Sequence, residues 1–200
     1  MSHDSPPPGF DHYSGPTHLA DWIASNQEAL KPPVNNKQIW KNSDLVCFVV
    51  GGPNQRTDFH VDPYEEFFHQ LRGSASLLVA DRGKFERVRL NEGDIFLLPA
   101  YVRHSPQRPE AGSLAMVIER RRAPTDIDAF EWYCAHCGAQ VARREVNVKK
   151  IDEDLPKAFA TFYDTADQDR TCSECGTVHP GRNWQPWHQT LAGRFPHTRL

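Results

Sequence analysis

Between Lys41 and Arg121 the chain is written in short runs of β-branched and aliphatic residues: DLVCFVV, ASLLVAD, FERVRL, DIFLLPA and LAMVIER. The pieces between them, GGPN, RG, NEGD and PEAGS, are made of turn residues. Runs of this length bounded by Gly, Pro, Asn and Asp read as strands joined by tight connections. No helical period of any length intervenes. Strands so spaced bury their apolar sides by packing into an antiparallel sandwich or barrel, so the expected fold class is all-β.

The flanks differ in texture. Residues 1–14 are rich in Pro, Ser and His without periodicity and are expected to form a flexible arm. LADWIASNQEAL then places Leu19, Trp22, Ile23 and Leu30 near helical spacing, and the prolines of KPPVNN end that helix. After Arg122 come a strand-like QVARREVNV and then LPKAFATFYD, with Leu155, Phe159 and Phe162 on one helical face. The expected organisation is therefore an arm at 1–14, a barrel with its N-terminal helix at 15–125, a cysteine-bearing region at 126–182 and a tail at 183–200. The tail carries Trp184 and Trp187 but little aliphatic content, which favours an overhang over a docked segment.

Composition narrows the partners. A hydrophobic share of 38% suffices for a core, and a formal net charge of −3 gives no electrostatic reason to expect nucleic acid or anionic membrane. The chain has no apolar run of about 18 residues, and its first residues lack the basic start and apolar centre of a secretory signal. A cytoplasmic address is expected. In that reducing setting, four of the five cysteines fall in two C-x-x-C pairs and favour a metal over disulfides. Cys47, inside LVCFVV, reads as a buried core thiol.

The pairs are CAHCG and CSECG, contributing Cys134, Cys137, Cys172 and Cys175, with Gly138 and Gly176 closing each turn. Four thiolates on two such turns suit zinc or a single iron, and a site so closed serves folding. His136 and His179 are expected bystanders, since four thiolates already saturate the ion. A nucleic-acid-binding ribbon is disfavoured, because RREVNVKK is its one basic cluster.

The stretch RTDFHVDPYEEFFHQLRG concentrates the remaining chemistry. In an extended strand His60, Asp62 and Glu66 share parity, subject to the break made by Pro63. His104 follows the NEGD turn and a further strand, where an antiparallel neighbour brings it opposite His60. Any single histidine of a β protein is more often a surface residue, but this spacing favours convergence. Two neutral imidazoles and one carboxylate leave a divalent ion about one net positive charge and open positions for substrate and O2. Glu65 has the opposite parity. Asp58 is a better candidate than His69 to orient a ligand. Glu119 shares parity with Ala115 and Val117 and faces either the barrel interior or, at the strand end, Arg120 and Arg121. Arg108, four residues after His104, is placed to bind an anion bidentately.

These motifs resemble the cupin family. HVDPYEEFFHQLRG reads H-x-D-x3-E-x6-G against the family's H-x-H-x3,4-E-x6-G, and GDIFLLPAYVRHSPQR reads G-x5-P-x-Y-x2-H-x3-R against G-x5-P-x-G-x2-H-x3-N. Asp62, Tyr101 and Arg108 replace a histidine, a glycine and an asparagine, and Gly52 sits two residues too far from His60. Together with VIERRR and the cysteine pairs, the pattern over about residues 17–182 resembles the bacterial 3-hydroxyanthranilate 3,4-dioxygenase family. The resemblance implies a cupin jelly-roll barrel (double-stranded β-helix) with short helices and a C-terminal four-cysteine ribbon. It implies Fe(II) on His60, Glu66 and His104, and a rubredoxin-like second iron or zinc on Cys134, Cys137, Cys172 and Cys175. Its substrate residues fall on Asn36, Arg56, Arg108 and Glu119, with Glu119 as base, Arg108 and Asn36 on the carboxylate, and Arg56 on the oxygen-derived anion. The implied reaction is extradiol cleavage of 3-hydroxyanthranilate by O2 to 2-amino-3-carboxymuconate semialdehyde. That product is the precursor of quinolinate in tryptophan catabolism (the kynurenine pathway) and NAD biosynthesis. A homodimer is the expected assembly. The rival readings are a zinc cupin isomerase or hydrolase, and a non-catalytic cupin that senses a metal or aromatic acid.

Overall fold

The computed structural model describes residues 15–192 apart from 33–34, 42, 83 and 150. The expected arm at 1–14 and the last part of the tail, 193–200, lie outside the described residues. Among the described residues, eleven strands form two antiparallel sheets. They are β1 (Asn36–Gln38), β2 (Leu45–Gly51), β3 (Asp58–Val61), β4 (Glu66–Arg72), β5 (Ala75–Asp81) and β6 (Lys84–Leu90). β7 (Ile95–Leu98), β8 (Arg103–Gln107), β9 (Leu114–Arg120), β10 (Asp128–Tyr133) and β11 (Gln140–Val146) follow. One sheet runs β1-β2-β9-β4-β7 and the other β11-β10-β3-β8-β5-β6. The all-β expectation holds, with each turn-bounded apolar run forming a strand.

The two-residue alternation of strands explains the core. On β4 and β9, Phe68 and Val117 point inward and meet Leu77 and Val79 of β5, Leu90 of β6 and Leu98 of β7 between the sheets. β5 lies between two strands and is apolar on both faces, so Leu78 and Ala80 point outward into a second cluster with Phe59 and Tyr133. Helix α1 (Leu19–Ser25) and the 3-10 turn Gln27–Leu30 cover one corner of the five-stranded sheet, where Leu30 packs on Val49 and Leu114.

The segment after residue 125 is laid directly onto the barrel. β10 pairs with β3 from Ala129↔Val61 to Trp132↔Asp58, and β11 extends the sheet beyond it. Helix α2 (Ile151–Tyr163) packs Ala158 and Phe162 on Phe130, Trp132 and Ala142, with Trp132 and Phe162 stacked at 4.3 Å.

One expectation is corrected here. Residues 184–192 do not overhang but form helix α3 (Trp184–Ala192), whose Trp187 is 1% exposed among Phe59, Leu78, Tyr133 and Ala135. Its indole N–H donates to the Tyr133 carbonyl at 3.2 Å. One indole buries on the order of 150–250 Å², so counting aliphatic residues understated the anchor. No helix among the described residues is long and apolar enough to cross a membrane.

Candidate active site

His60 on β3 and His104 on β8 are direct partners across an antiparallel pair. Glu66 reaches them from the other sheet, because β3 stops at Val61 and Glu66 opens β4. The single strand carrying His60, Asp62 and Glu66 is therefore two strands and a turn. Pro63 cannot donate to a ladder, and Asp62 Oδ1 accepts the backbone N–H of Tyr64 at 2.7 Å, which completes the turn. Asp62, at the position of the second cupin histidine, gives its other oxygen to Arg122 at 2.6 Å.

The Glu66 Oε1 lies 2.9 Å from His104 Nε2 and 3.6 Å from His60 Nδ1. One ligand atom from each of the three residues falls within 4.8 Å of the others. The remaining ring nitrogens are already engaged: His60 Nε2 donates to Asp128 Oδ1 at 2.7 Å, and His104 Nδ1 donates to the Val102 carbonyl at 3.0 Å. Such tethers fix tautomer and ring orientation in metal-binding imidazoles. Glu66 Oε1 is buried without a hydrogen-bond partner, an acceptor that a cation would satisfy. The donor set fits a divalent ion.

Charge around the site agrees. Burial alone would raise the Glu66 carboxyl, but His104, His60 and Arg122 outweigh it and hold it near about 2. Burial, with Glu66 adding repulsion, pushes Asp62 up to about 6 and Glu119 well above the usual carboxylate range. Glu119 is 6% exposed and faces the interior, its ligand-side oxygen within 4.8 Å of those of Asp62 and Glu66. Its ion-pair partner is Arg122 Nη1 at 3.2 Å, in place of the weighed Arg120 or Arg121. Arg122 also binds Asp128 at 2.7 Å. One buried arginine thus pairs with three carboxyl groups, Asp62, Glu119 and Asp128, beside the ligand Glu66.

Asp128 and Arg122 were not singled out by sequence reasoning. Arg122 ends the quoted VIERRR, where nothing local separates it from its neighbours, and Asp128 lies on another strand. Asp58, a better candidate than His69 to orient a ligand, turns its carboxylate to Arg56 Nε and the Tyr163 hydroxyl, each at 3.0 Å. His69 sits on the outer face of β4, paired with Ile95 and Met116.

Beside the ligands lie two guanidiniums. Arg108 is 5% exposed and its Nε has no hydrogen-bond partner. Burial, then repulsion from Arg56, lowers it to about 10. Reciprocal backbone bonds with Asn54 at 2.7 and 2.8 Å hold its main chain. Arg56 is aimed by Asp58 and lies over the Phe159 ring at 5.0 Å. Phe130 stacks on His60 at 4.9 Å, and Phe159 meets Phe130 edge-on at 5.0 Å, making an apolar wall. Asn36 is on the edge strand, opposite Val50, whereas Glu119 is opposite Val46. Four residues along β2 separate those rows, roughly 13 Å at strand rise.

The four cysteines also converge, with one Sγ from each within 4.8 Å. Cys134–Cys175 and Cys137–Cys172 sulfurs are 3.5 Å apart, close to the roughly 3.8 Å edge of a tetrahedron with 2.3 Å metal–sulfur bonds. The two loops share one design: Gly138 N–H donates to the Cys134 carbonyl and Gly176 N–H to that of Cys172, at 2.8 and 2.9 Å. Both glycines have positive φ, 80° and 71°, which a side chain would strain. His179 is buried, accepts Gly181 N–H at 3.1 Å, and is lowered to about 3 by burial, so it is a neutral packing residue.

Two antiparallel sheets holding two imidazoles and a carboxylate between them, with the Arg56 and Arg108 guanidiniums alongside, define a metal-dependent enzyme of the cupin type. The particular family follows from its sequence pattern. The 3-hydroxyanthranilic acid dioxygenase family matches residues 13–163, and the chain belongs to it. The 3-hydroxyanthranilate 3,4-dioxygenase of Cupriavidus pinatubonensis is 50% identical over 90% of this chain and 95% of its own length. That of Paraburkholderia phytofirmans is 55% identical over 85% and 97%. Among solved structures, a cupin-2 domain protein of Shewanella frigidimarina is 18% identical over 52% of this chain and 94% of its own, with a TM-score of 0.43.

Proposed function

We propose that this chain cleaves the ring of 3-hydroxyanthranilate with O2, in the extradiol sense, to give 2-amino-3-carboxymuconate semialdehyde. The observation that carries the reading is the pairing of a two-histidine, one-glutamate ligand set with a buried, unsatisfied Arg108 close enough to feel the charge of Glu66. Fe(II) on His60, Glu66 and His104 would supply the electronic bridge between O2 and a closed-shell ring.

The chain's own residues do the rest. Arg108 takes the ring carboxylate, which satisfies its orphaned Nε and repays the burial of its charge. Asn36 is assigned to the same carboxylate by the family pattern. Glu119, buried beside Glu66 and ion-paired to Arg122 at 3.2 Å, is assigned as the base for the proton of the substrate hydroxyl or amine. Arg56 offsets the negative charge that develops as oxygen enters the ring. Phe130 and Phe159 flank the ring and exclude water.

The four-cysteine centre is assigned to a structural iron or zinc. The chain is assigned to the cytoplasm, with a small aromatic acid and O2 as partners and neither nucleic acid nor membrane among them. A homodimer is supported by the outer face of the five-stranded sheet, where Ile95 and Leu97 are 66% and 54% exposed. The test is anaerobic Fe(II) loading followed by 3-hydroxyanthranilate and air. Appearance of the ring-opened chromophore with O2 consumption is expected. Turnover without O2 would favour a zinc isomerase or hydrolase, and binding without turnover a sensor.

A further inference from the structure

Arg56, Thr57 and Asp58 lead into β3, and all three are gripped by chain that follows the first cysteine pair. Phe159 and Tyr163, four residues apart on one face of α2, reach them together. Phe159 lies under the Arg56 guanidinium at 5.0 Å. The Tyr163 hydroxyl donates to Asp58 Oδ1 at 3.0 Å, the same oxygen that receives Arg56 Nε. Thr57, fully buried, donates to the Gly181 carbonyl at 2.8 Å and lies 3.0 Å from the Tyr163 hydroxyl. Gly181 follows the second cysteine pair. Arg170 ties the ends of this arrangement, donating to the His179 carbonyl at 3.3 Å and to the Tyr163 carbonyl at 3.4 Å.

The physical need is plain. Arg56 and Arg108 are like charges close enough to repel, and a long side chain left to itself would turn toward water. Asp58 cancels part of the repulsion and aims the guanidinium, but only if its own carboxylate is held. The residues holding it belong to the ribbon. We propose that the four-cysteine ribbon is a positioning device for Arg56, acting through Tyr163 on Asp58 and through Phe159 on the guanidinium face. The inference rests on the reading that Arg56 serves the substrate pocket. It makes Tyr163 and Phe159 positioning residues.

The decisive experiment uses full-length protein loaded with zinc, which is diamagnetic, and follows the Arg56 Nε–H proton by NMR, assigned by its absence in Arg56→Lys. In Tyr163→Phe and Phe159→Leu, exchange of that proton should accelerate about tenfold while metal content stays unchanged. In the iron-loaded proteins kcat/KM should fall about tenfold, and Tyr163→Phe should have less than a twofold effect in the Arg56→Lys background. Cys172→Ser should loosen the same proton; since that variant risks misfolding, Tyr163→Phe decides. An unchanged Arg56 signal, or an undiminished loss in the Arg56→Lys background, would overturn the proposal. Should Arg56→Lys itself leave turnover intact, the pocket assignment fails, and the proton exchange still decides whether the ribbon positions Arg56.

Discussion

Asp128 shows how a residue with no local signature acts on the site. It is buried, accepts from His60 Nε2 at 2.7 Å and binds Arg122, and these hydrogen bonds outweigh burial and lower its pKa. Asp128→Asn keeps the shape and removes the charge that makes His60 a strong donor to metal. Affinity for Fe(II) or Co(II), measured by anaerobic titration, should fall about 10–100-fold with the fold intact. Arg108 gives the complementary test on the substrate side. A hydrogen bond to a charged group contributes roughly 1.5–3 kcal/mol, so Arg108→Ala should raise KM for 3-hydroxyanthranilate at least tenfold. The wild type should prefer that compound over 2-aminophenol, which lacks the carboxylate, and the variant should lose most of the preference. Kinetics on both compounds with both proteins measures the coupling of guanidinium and carboxylate. A coupling near zero would move the role to Arg56 or Asn36.

At the scale of elements, the β3–β4 turn and helix α3 matter most. The turn sends Glu66 across to the opposite sheet, so the ligand set reports that both sheets are correctly packed. Helix α3 is held mainly by Trp187, which meets Phe59 edge-on at 6.1 Å. Trimming after Asn183 would strip the outer side of β3, the strand that carries His60. Trp187→Ala should cost about 3–5 kcal/mol, read as a lowered urea midpoint. Trp184, only partly buried, should cost far less when substituted.

For the whole molecule, the two candidate metal sites share one chain but no ligands, and their losses should separate. His60→Ala or His104→Ala should abolish turnover while the protein keeps one metal per chain on its four cysteines, as counted by elemental analysis. Loss of that second metal in well-folded His104→Ala would show that the centres are one cooperative unit. A thiol titration checks the same division. Cys47 lies in the core of β2, 1% exposed and raised in pKa by burial, so it should react only after the barrel unfolds, whereas the chelated cysteine loops should react first at the accessible Cys137 and Cys175.

Much of this was written in the sequence. Turn-bounded apolar runs marked β2, β5, β6, β7 and β9, the motif spacing pointed to His60, Glu66 and His104, and the C-x-x-C pairs announced a four-cysteine cluster, because each signal lies within a few neighbouring residues. The tertiary structure alone decided that His60 and Glu66 meet from opposite sheets, that Asp128 reaches His60 across 68 positions, that Trp187 docks the tail and that α2 grips Arg56. Those contacts follow from which strands pair and which faces bury area. Asp128, Trp187 and Tyr163 look like ordinary residues until β10 lies beside β3 and the apolar surface is covered.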